Sequence, residues 1–195
     1  MIETLSHRIL NILINNNAVT DNNKAVVLFG IEQGLRSLFE IVIMLLTGLL
    51  MNLFWESAII LISFIPVRIY AGGYHAKTPM QCAIKSWMLL TAVLLWMKYT
   101  PNNAILQIFV LMITGIWMFC FCPVQDEHKP LSEKEKRKYK VKAFRNFFLD
   151  FCVFGIGYFS NIPVLSRCIA LGTLMLLVML VAGTIKNNKK MNDTN

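Results

Sequence analysis

Two stretches without a charged residue limit what this chain can fold into. None occurs between Lys98 and Asp126, and none between Arg167 and Lys186. As helices, both are long enough to cross about 30 Å of hydrocarbon, and a helix that is apolar all round has to be surrounded by apolar material. Charged residues make up only 15% of the chain, against about 25% in soluble domains, so lipid is expected to replace water over much of the surface. Six apolar segments can be marked, at residues 35–54, 58–69, 83–97, 104–122, 147–159 and 164–185. The second and third are short for a crossing; they tilt, borrow flanking residues or enter without crossing. The expected fold is all-α: a polytopic membrane helical protein with four to six membrane segments.

Ahead of these segments, Ile2, Leu5, Ile9, Ile12 and Leu13 recur at helical spacing. The basic start, apolar block and cleavage site of a signal peptide are not seen. The stripe predicts an N-terminal amphipathic helix, lying on the membrane surface or facing the core. One membrane domain is expected over 1–195, with an amphipathic, cytoplasmic region at 1–34, membrane segments at 35–185 and a tail at 186–195.

Charge placement orients the segments. The loop at 66–85 carries Arg68, Lys77 and Lys85 and no acid, and the loop at 123–146 carries eight Lys or Arg against four Asp or Glu. The tail adds Lys186, Lys189 and Lys190, whereas the alternate connections are nearly bare. That alternation is what the positive-inside rule requires of six crossings, with both termini and both basic loops in the cytoplasm. A four-crossing arrangement, in which the second and third segments dip in as a hairpin, stays open. The net charge of +8 is thereby read as topological. No basic stripe is interleaved with aromatics, so nucleic acid is not an expected partner. The run 132–145 is read as a solvated loop that sets topology, with attraction of anionic lipid or an acidic peptide as the alternative. The five cysteines are odd in number and mostly in apolar surroundings, which reads as small buried hydrophobes rather than a disulfide framework.

Polar chemistry concentrates in residues 68–82, RIYAGGYHAKTPMQC. Gly72 and Gly73 permit a sharp turn and should end the second helix. Thr78-Pro79-Met80-Gln81 has the spacing of an N-cap with Pro at the first helical position and a capping-box Gln. Cys82 then falls in the first turn of the next helix, where exposed amides and the helix dipole favour the thiolate, the form that attacks carbonyls. Lys77 and Lys85 add positive charge nearby. His75, seven residues before Cys82, is positioned to take the thiol proton if the turn folds back. The same pair also reads as an interfacial His and a packed Cys. Metal ligation by His75, Cys82, Cys120 and Cys122 is disfavoured, because Cys-x-Cys is not the usual zinc spacing. No cofactor is expected, and a Gly-x-Ser-x-Gly nucleophile elbow is missing.

The run Arg68-x-x-Ala71-Gly72-Gly73-Tyr74-His75-Ala76, followed by Cys82, resembles the accessory gene regulator B family of bacterial quorum-sensing peptidases. The resemblance implies a multi-pass protein of the bacterial plasma membrane that acts on a small, membrane-associated precursor peptide at the cytoplasmic face. It implies Cys82 as the nucleophile and His75 as its base. The precursor's acidic C-terminal tail is removed, the rest is held as a thioester, and a Cys or Ser of the peptide closes a thiolactone or lactone ring. Arg68, Gly72, Gly73, Lys77 and Gln81 are candidates for substrate binding or structural support, and Arg68 is equally readable as either. The helix start or the Gly-Gly turn is expected to offer amide donors to an oxyanion. A peptide transporter is the alternative, but a transporter should carry polar groups near the bilayer midplane; the segments here carry few, Gln107 being the clearest and Asp150 lying near a segment end, and the polar chemistry clusters in a loop, which favours the enzyme. Homodimerisation is left open.

Overall fold

The computed structural model describes residues 2–16, 19, 23–74, 78–124 and 132–193. Among them are seven helices and no strand: α1 (Ile2–Asn15), α2 (Lys24–Leu50), α3 (Phe54–Ala71), α4 (Pro79–Tyr99), α5 (Ala104–Phe121), α6 (Glu133–Phe159) and α7 (Pro163–Asp193). Five of them, α2, α3, α4, α5 and α7, are long and apolar enough to cross a membrane. The all-α, multi-pass architecture is thus the one expected.

The chain forms two compact units, Met1–Leu46 and Thr47–Asn195. The first holds α1 and most of α2. In α1, Ser6 and Leu10 are buried, and the Ser6 hydroxyl donates to the Glu3 carbonyl and lies 3.5 Å from a Glu32 carboxylate oxygen on α2. Leu5 and Ile12, from the apolar stripe, remain exposed, which leaves α1 an apolar face of the kind that lies on a lipid surface.

In the second unit α7 is the central helix. It packs against α3, α5 and α6, with α3 also on α6, and touches α4 more sparsely. Small residues make the close crossings. A Cβ on Gly172 of α7 would stand 2.9 Å from the Ser63 hydroxyl of α3, and one on Gly157 of α6 would stand 2.9 Å from the Ser166 amide of α7. Ser57 and Thr114 are fully enclosed, while Ile105 and Phe159 are 81% and 83% exposed. Leaving such a side chain in water forgoes about 1.5–3 kcal/mol of burial. Small hydroxyl residues inside and large apolar residues outside is the pattern of a protein bathed in lipid.

Several boundaries differ from the sequence expectation, for one reason. Hydropathy marks the lipid-facing part of a helix, whereas the backbone ladder continues through polar residues. α2 begins well before residue 35. Residues 66–71, expected in a loop, belong to α3, and the tail from 186 continues α7. The basic run 132–145 is not a loop but the first half of α6. Ser132 caps it: its hydroxyl accepts from the Glu135 amide and its own amide donates to the Glu135 carboxylate, a complete capping box. Lys136 pairs with Glu133 at 2.6 Å. Lys140 donates to the Phe119 carbonyl at the C-terminal end of α5 (3.1 Å), where the helix dipole favours a cation, and Lys142 sits 5.1 Å from the Tyr70 ring. Part of the basic run therefore ties helix ends together. The cysteines also depart from expectation. Cys122 and Cys168 are buried, but Cys120 and Cys152 are exposed, and all five are free thiols.

Candidate active site

The polar stretch between α3 and α4 is pinned from three sides. α3 ends at Ala71, and Gly72 and Gly73 follow with φ of 74° and 123°, a region that favours glycine. A Cβ on Gly72 would lie 2.1 Å from the Val124 carbonyl oxygen, so the position is closed sterically as well. The Val124 amide donates to the Ala71 carbonyl (2.9 Å), and the Gly73 amide donates to the Val124 carbonyl (3.4 Å). The Tyr74 amide donates to the Met179 carbonyl of α7 at 2.8 Å. Gly183, one turn further along α7, makes room for this docking; a Cβ there would meet the Gly73 carbonyl carbon at 2.5 Å and the Tyr74 nitrogen at 2.6 Å.

Arg68 supplies the third fastening. Its Nη1 donates to the Gly72 carbonyl and its Nη2 to the Tyr74 carbonyl, the latter at 2.5 Å. A guanidinium fork can hold two acceptors in fixed relation, which an ammonium cannot do as rigidly. The sequence left Arg68 open between substrate attraction and structure; here its bonded groups hold the loop.

α4 starts as its cap residues require. The Thr78 hydroxyl accepts from the Gln81 amide (3.3 Å), and Pro79 occupies the first helical position. Cys82 is half-buried in the first turn. Its own amide is engaged, donating to the Thr78 carbonyl at 3.2 Å. The expected supply of oxyanion donors is accordingly thinner than the sequence suggested. Gly72 and Gly73 have their amides bound to Arg68 and Val124, Gln81 is taken by the cap, and Pro79 has none. Met80 retains the unpartnered first-turn amide among the described residues. Three residues past Cys82, Lys85 donates to the Tyr74 hydroxyl at 2.6 Å with its ammonium 4.3 Å from the ring centroid, joining the loop to α4.

Arg68, Gly72 and Gly73 thus belong to one fastened turn, Gln81 and Cys82 lie in the first turn of α4, which Lys85 links to that turn through Tyr74, and His75 and Lys77 lie outside the described residues. Val124, Met179 and Gly183 were not anticipated. Of these, Gly183 left a trace, as a small residue inside an apolar run, the usual mark of close helix approach. Among the described residues no three His, Cys, Asp or Glu side chains converge as a metal site would need.

The family model described as Accessory gene regulator B matches residues 6–180. The chain is 25% identical to accessory gene regulator protein B of Staphylococcus carnosus (strain TM300), over 75% of each chain. It is 24% identical to the protein of the same name from Staphylococcus lugdunensis, over 73% of this chain and 74% of the relative. A protein described as AgrB-like from Listeria innocua serovar 6a is 25% identical over 191 residues, covering 95% of this chain and 91% of its own length. No solved structure matches the chain. A model match over nearly the whole sequence, spanning the pinned turn and the start of α4, places this chain in the accessory gene regulator B family.

Proposed function

We propose that this protein is a membrane cysteine endopeptidase that cuts a small precursor peptide at the cytoplasmic face and passes the acyl group to a nucleophile of the peptide itself. Family membership implies a role in accessory gene regulator quorum-sensing peptide processing. The observation that carries the finer reading is the position of Cys82. It is the half-buried thiol in the first turn of α4, beside a loop that Arg68, Val124 and Met179 hold in place. A helix start favours an anion through its dipole, and a thiolate is the attacking form.

In this reading His75 takes the Cys82 proton. In the chain it directly follows Tyr74, which is joined to α4 through Lys85. The sulfur attacks the scissile carbonyl carbon, the peptide bond breaks, and the proton passes from His75 to the departing amine. The remaining peptide is bound to Cys82 as a thioester. A thiol or hydroxyl of that peptide then attacks the thioester carbonyl, closing a ring and releasing Cys82. An internal nucleophile has a high effective molarity, which favours cyclisation over hydrolysis. With the Cys82 and Gln81 amides engaged by Thr78, the Met80 amide is the first-turn donor left for an oxyanion, and one such donor is worth about 3 kcal/mol of barrier. Both termini and this junction face the cytoplasm in the proposed topology, and no cofactor takes part.

Two variants test the arrangement. His75→Ala is expected to slow iodoacetamide labelling of Cys82 near neutral pH by about tenfold or more, measured by mass spectrometry in isolated membranes; an unchanged rate would argue against activation by His75. Arg68→Lys keeps the charge but not the fork. It is expected to lower precursor cleavage by about 10²-fold, the scale of a loop displaced by an ångström, with membrane accumulation retained. Equal cleavage by the Lys variant would reduce Arg68 to a generic cation.

A further inference from the structure

At the end of α4 remote from Cys82, helices α4, α5 and α7 form a cavity of about 300 Å³, lined by Trp96, Leu106, Val110, Leu171, Gln107 and Arg167. That volume is at the lower end for ligand pockets. Asn103, also at its wall, is committed to capping α5. Arg167 and Gln107 are less fully committed. Arg167 engages the protein through one nitrogen: Nη2 donates to the Thr100 carbonyl (2.6 Å) and hydroxyl (2.8 Å) and reaches the Trp96 carbonyl (3.4 Å). Its Nη1 and Nε hydrogens have no acceptor, and it forms no ion pair, among the described residues. Gln107 is only 7% exposed. Its Nε2 donates to the Asn102 side-chain oxygen, and its Oε1 is buried without a partner among the described residues. A buried amide oxygen without a donor and a guanidinium without an anion are both costly in apolar surroundings. The depth of the cavity is also informative. α5 has 18 residues, a length of about 27 Å, close to the thickness of the hydrocarbon layer. Trp96, Gln107 and Arg167 each stand about one turn inside a helix end, where headgroups meet acyl chains and tryptophan is enriched.

A cation, an acceptor in need of a donor and apolar walls together select an anionic amphiphile that carries a hydroxyl. We propose that this cavity binds an anionic phospholipid with a hydroxylated headgroup, of the phosphatidylglycerol type. The phosphate sits on the Nη1 and Nε edge of Arg167, a geometry the guanidinium fork suits. The headgroup hydroxyl donates to Gln107 Oε1, and the first part of an acyl chain lies against Leu106, Val110 and Leu171. Trp96 and Leu106 are half-exposed, so the chain enters sideways from the bilayer. A free phosphate is disfavoured because it would leave the apolar walls uncovered. A peptide is disfavoured because those walls offer its backbone few partners, and because Trp96 lies about 21 Å along α4 from Cys82. The inference does not depend on the role of Cys82. α4 touches α7 only sparsely, and Arg167 is one of the bonds between them. A lipid held by Arg167 and Gln107 bridges α7 and α5 beside that bond and steadies the far end of α4.

The test uses the full-length protein in detergent, given an equimolar mixture of dioleoyl phosphatidylglycerol, phosphatidylmethanol and phosphatidylcholine. The second is anionic without a hydroxyl, and the third is zwitterionic. Native mass spectrometry reads which lipid stays bound, and thermal melting reads the stabilisation. Phosphatidylglycerol is expected to be retained over phosphatidylcholine by about tenfold or more, and over phosphatidylmethanol by about fivefold. Gln107→Leu should remove the second preference and keep the first. Arg167→Gln should remove the first. Val110→Trp fills the cavity and leaves the Arg167 bonds in place, so it should lower retention of phosphatidylglycerol to that of phosphatidylcholine. Circular dichroism checks each variant; if Arg167→Gln loses helix, Gln107→Leu and Val110→Trp decide. Equal retention of the three lipids by the wild type, or preferences that survive Gln107→Leu and Val110→Trp, would overturn the site. Stabilisation by inorganic phosphate or glycerophosphoglycerol equal to that by the whole lipid would make it a site for free anions and overturn the lipid assignment. Displacement of phosphatidylglycerol by an added precursor peptide that itself stays bound at the cavity would overturn it in favour of a peptide.

Discussion

Cys82→Ala is expected to abolish precursor cleavage, with a rate loss of at least about 10⁴-fold, the scale seen when a covalent nucleophile is deleted. The protein should still accumulate in the membrane. Cys82 is a half-buried residue of the first turn of α4, and alanine leaves in place the Thr78 cap and the backbone bond from residue 82 to the Thr78 carbonyl. Cys82→Ser should fail equally, because a hydroxyl at that position is far less ionised than a thiol. The comparison is Cys168→Ala. Cys168 is fully buried in α7, so its loss should cost about 1 kcal/mol of stability through a small cavity and leave turnover by the folded fraction unchanged. Cleavage in reconstituted membranes, normalised to folded protein, separates the two. Normal cutting by the alanine variant of residue 82 would remove that thiol from the mechanism.

Gly183→Ala should produce the second largest effect, from a residue outside the motif stretch. The added methyl would meet the backbone of Gly73 and Tyr74 at 2.5–2.6 Å. Neither contact is with a flexible side-chain tip, so the loop has to move off α7. The Tyr74-to-Met179 hydrogen bond goes with it, and so does the register in which Arg68 holds the two loop carbonyls. Overpacking of this kind costs about 1–3 kcal/mol, and a displacement near 1 Å at a catalytic loop costs about 10²-fold in rate. The control is Gly155→Ala in α6, where a Cβ meets nothing within 4 Å; helix propensity alone should make it neutral or slightly stabilising. Circular dichroism and cleavage measured together decide the matter. Loss of helix in Gly183→Ala would mean global unfolding, and unchanged cleavage would mean that the loop does not need its seat on α7.

The apolar segments were legible in the sequence because lipid imposes a simple rule. A spanning helix needs a long stretch without charge, and the runs after Lys98 and Arg167 have one. The start of α4 was legible for a local reason. Thr78, Pro79 and Gln81 satisfy the backbone groups that any helix start leaves open, whatever surrounds it. The helical nature of 132–145 was missed, although Ser132 and Glu135 have capping-box spacing. Dense positive charge there was read as solvated loop, and the contacts of Lys140 and Lys142 with α5 and Tyr70 were not available to correct it. Arg68 stayed ambiguous for the same kind of reason, since a guanidinium four residues before a glycine pair has many possible partners.

By itself the sequence determined an all-helical membrane chain, the break at Gly72-Gly73, the helix beginning at Thr78 and the thiol in its first turn. Each follows from forces that act within a few residues: hydrophobic transfer, backbone sterics and end-capping. Only the tertiary structure decided that Arg68 binds the loop, that Val124 and Met179 receive it, that Gly183 makes space for it, and that α4 stands off from α7 to leave a groove beside Tyr74 and Lys85. Those outcomes depend on pairs of groups as much as a hundred residues apart, and their meeting is set by how helices pack in three dimensions, which no short window of sequence encodes.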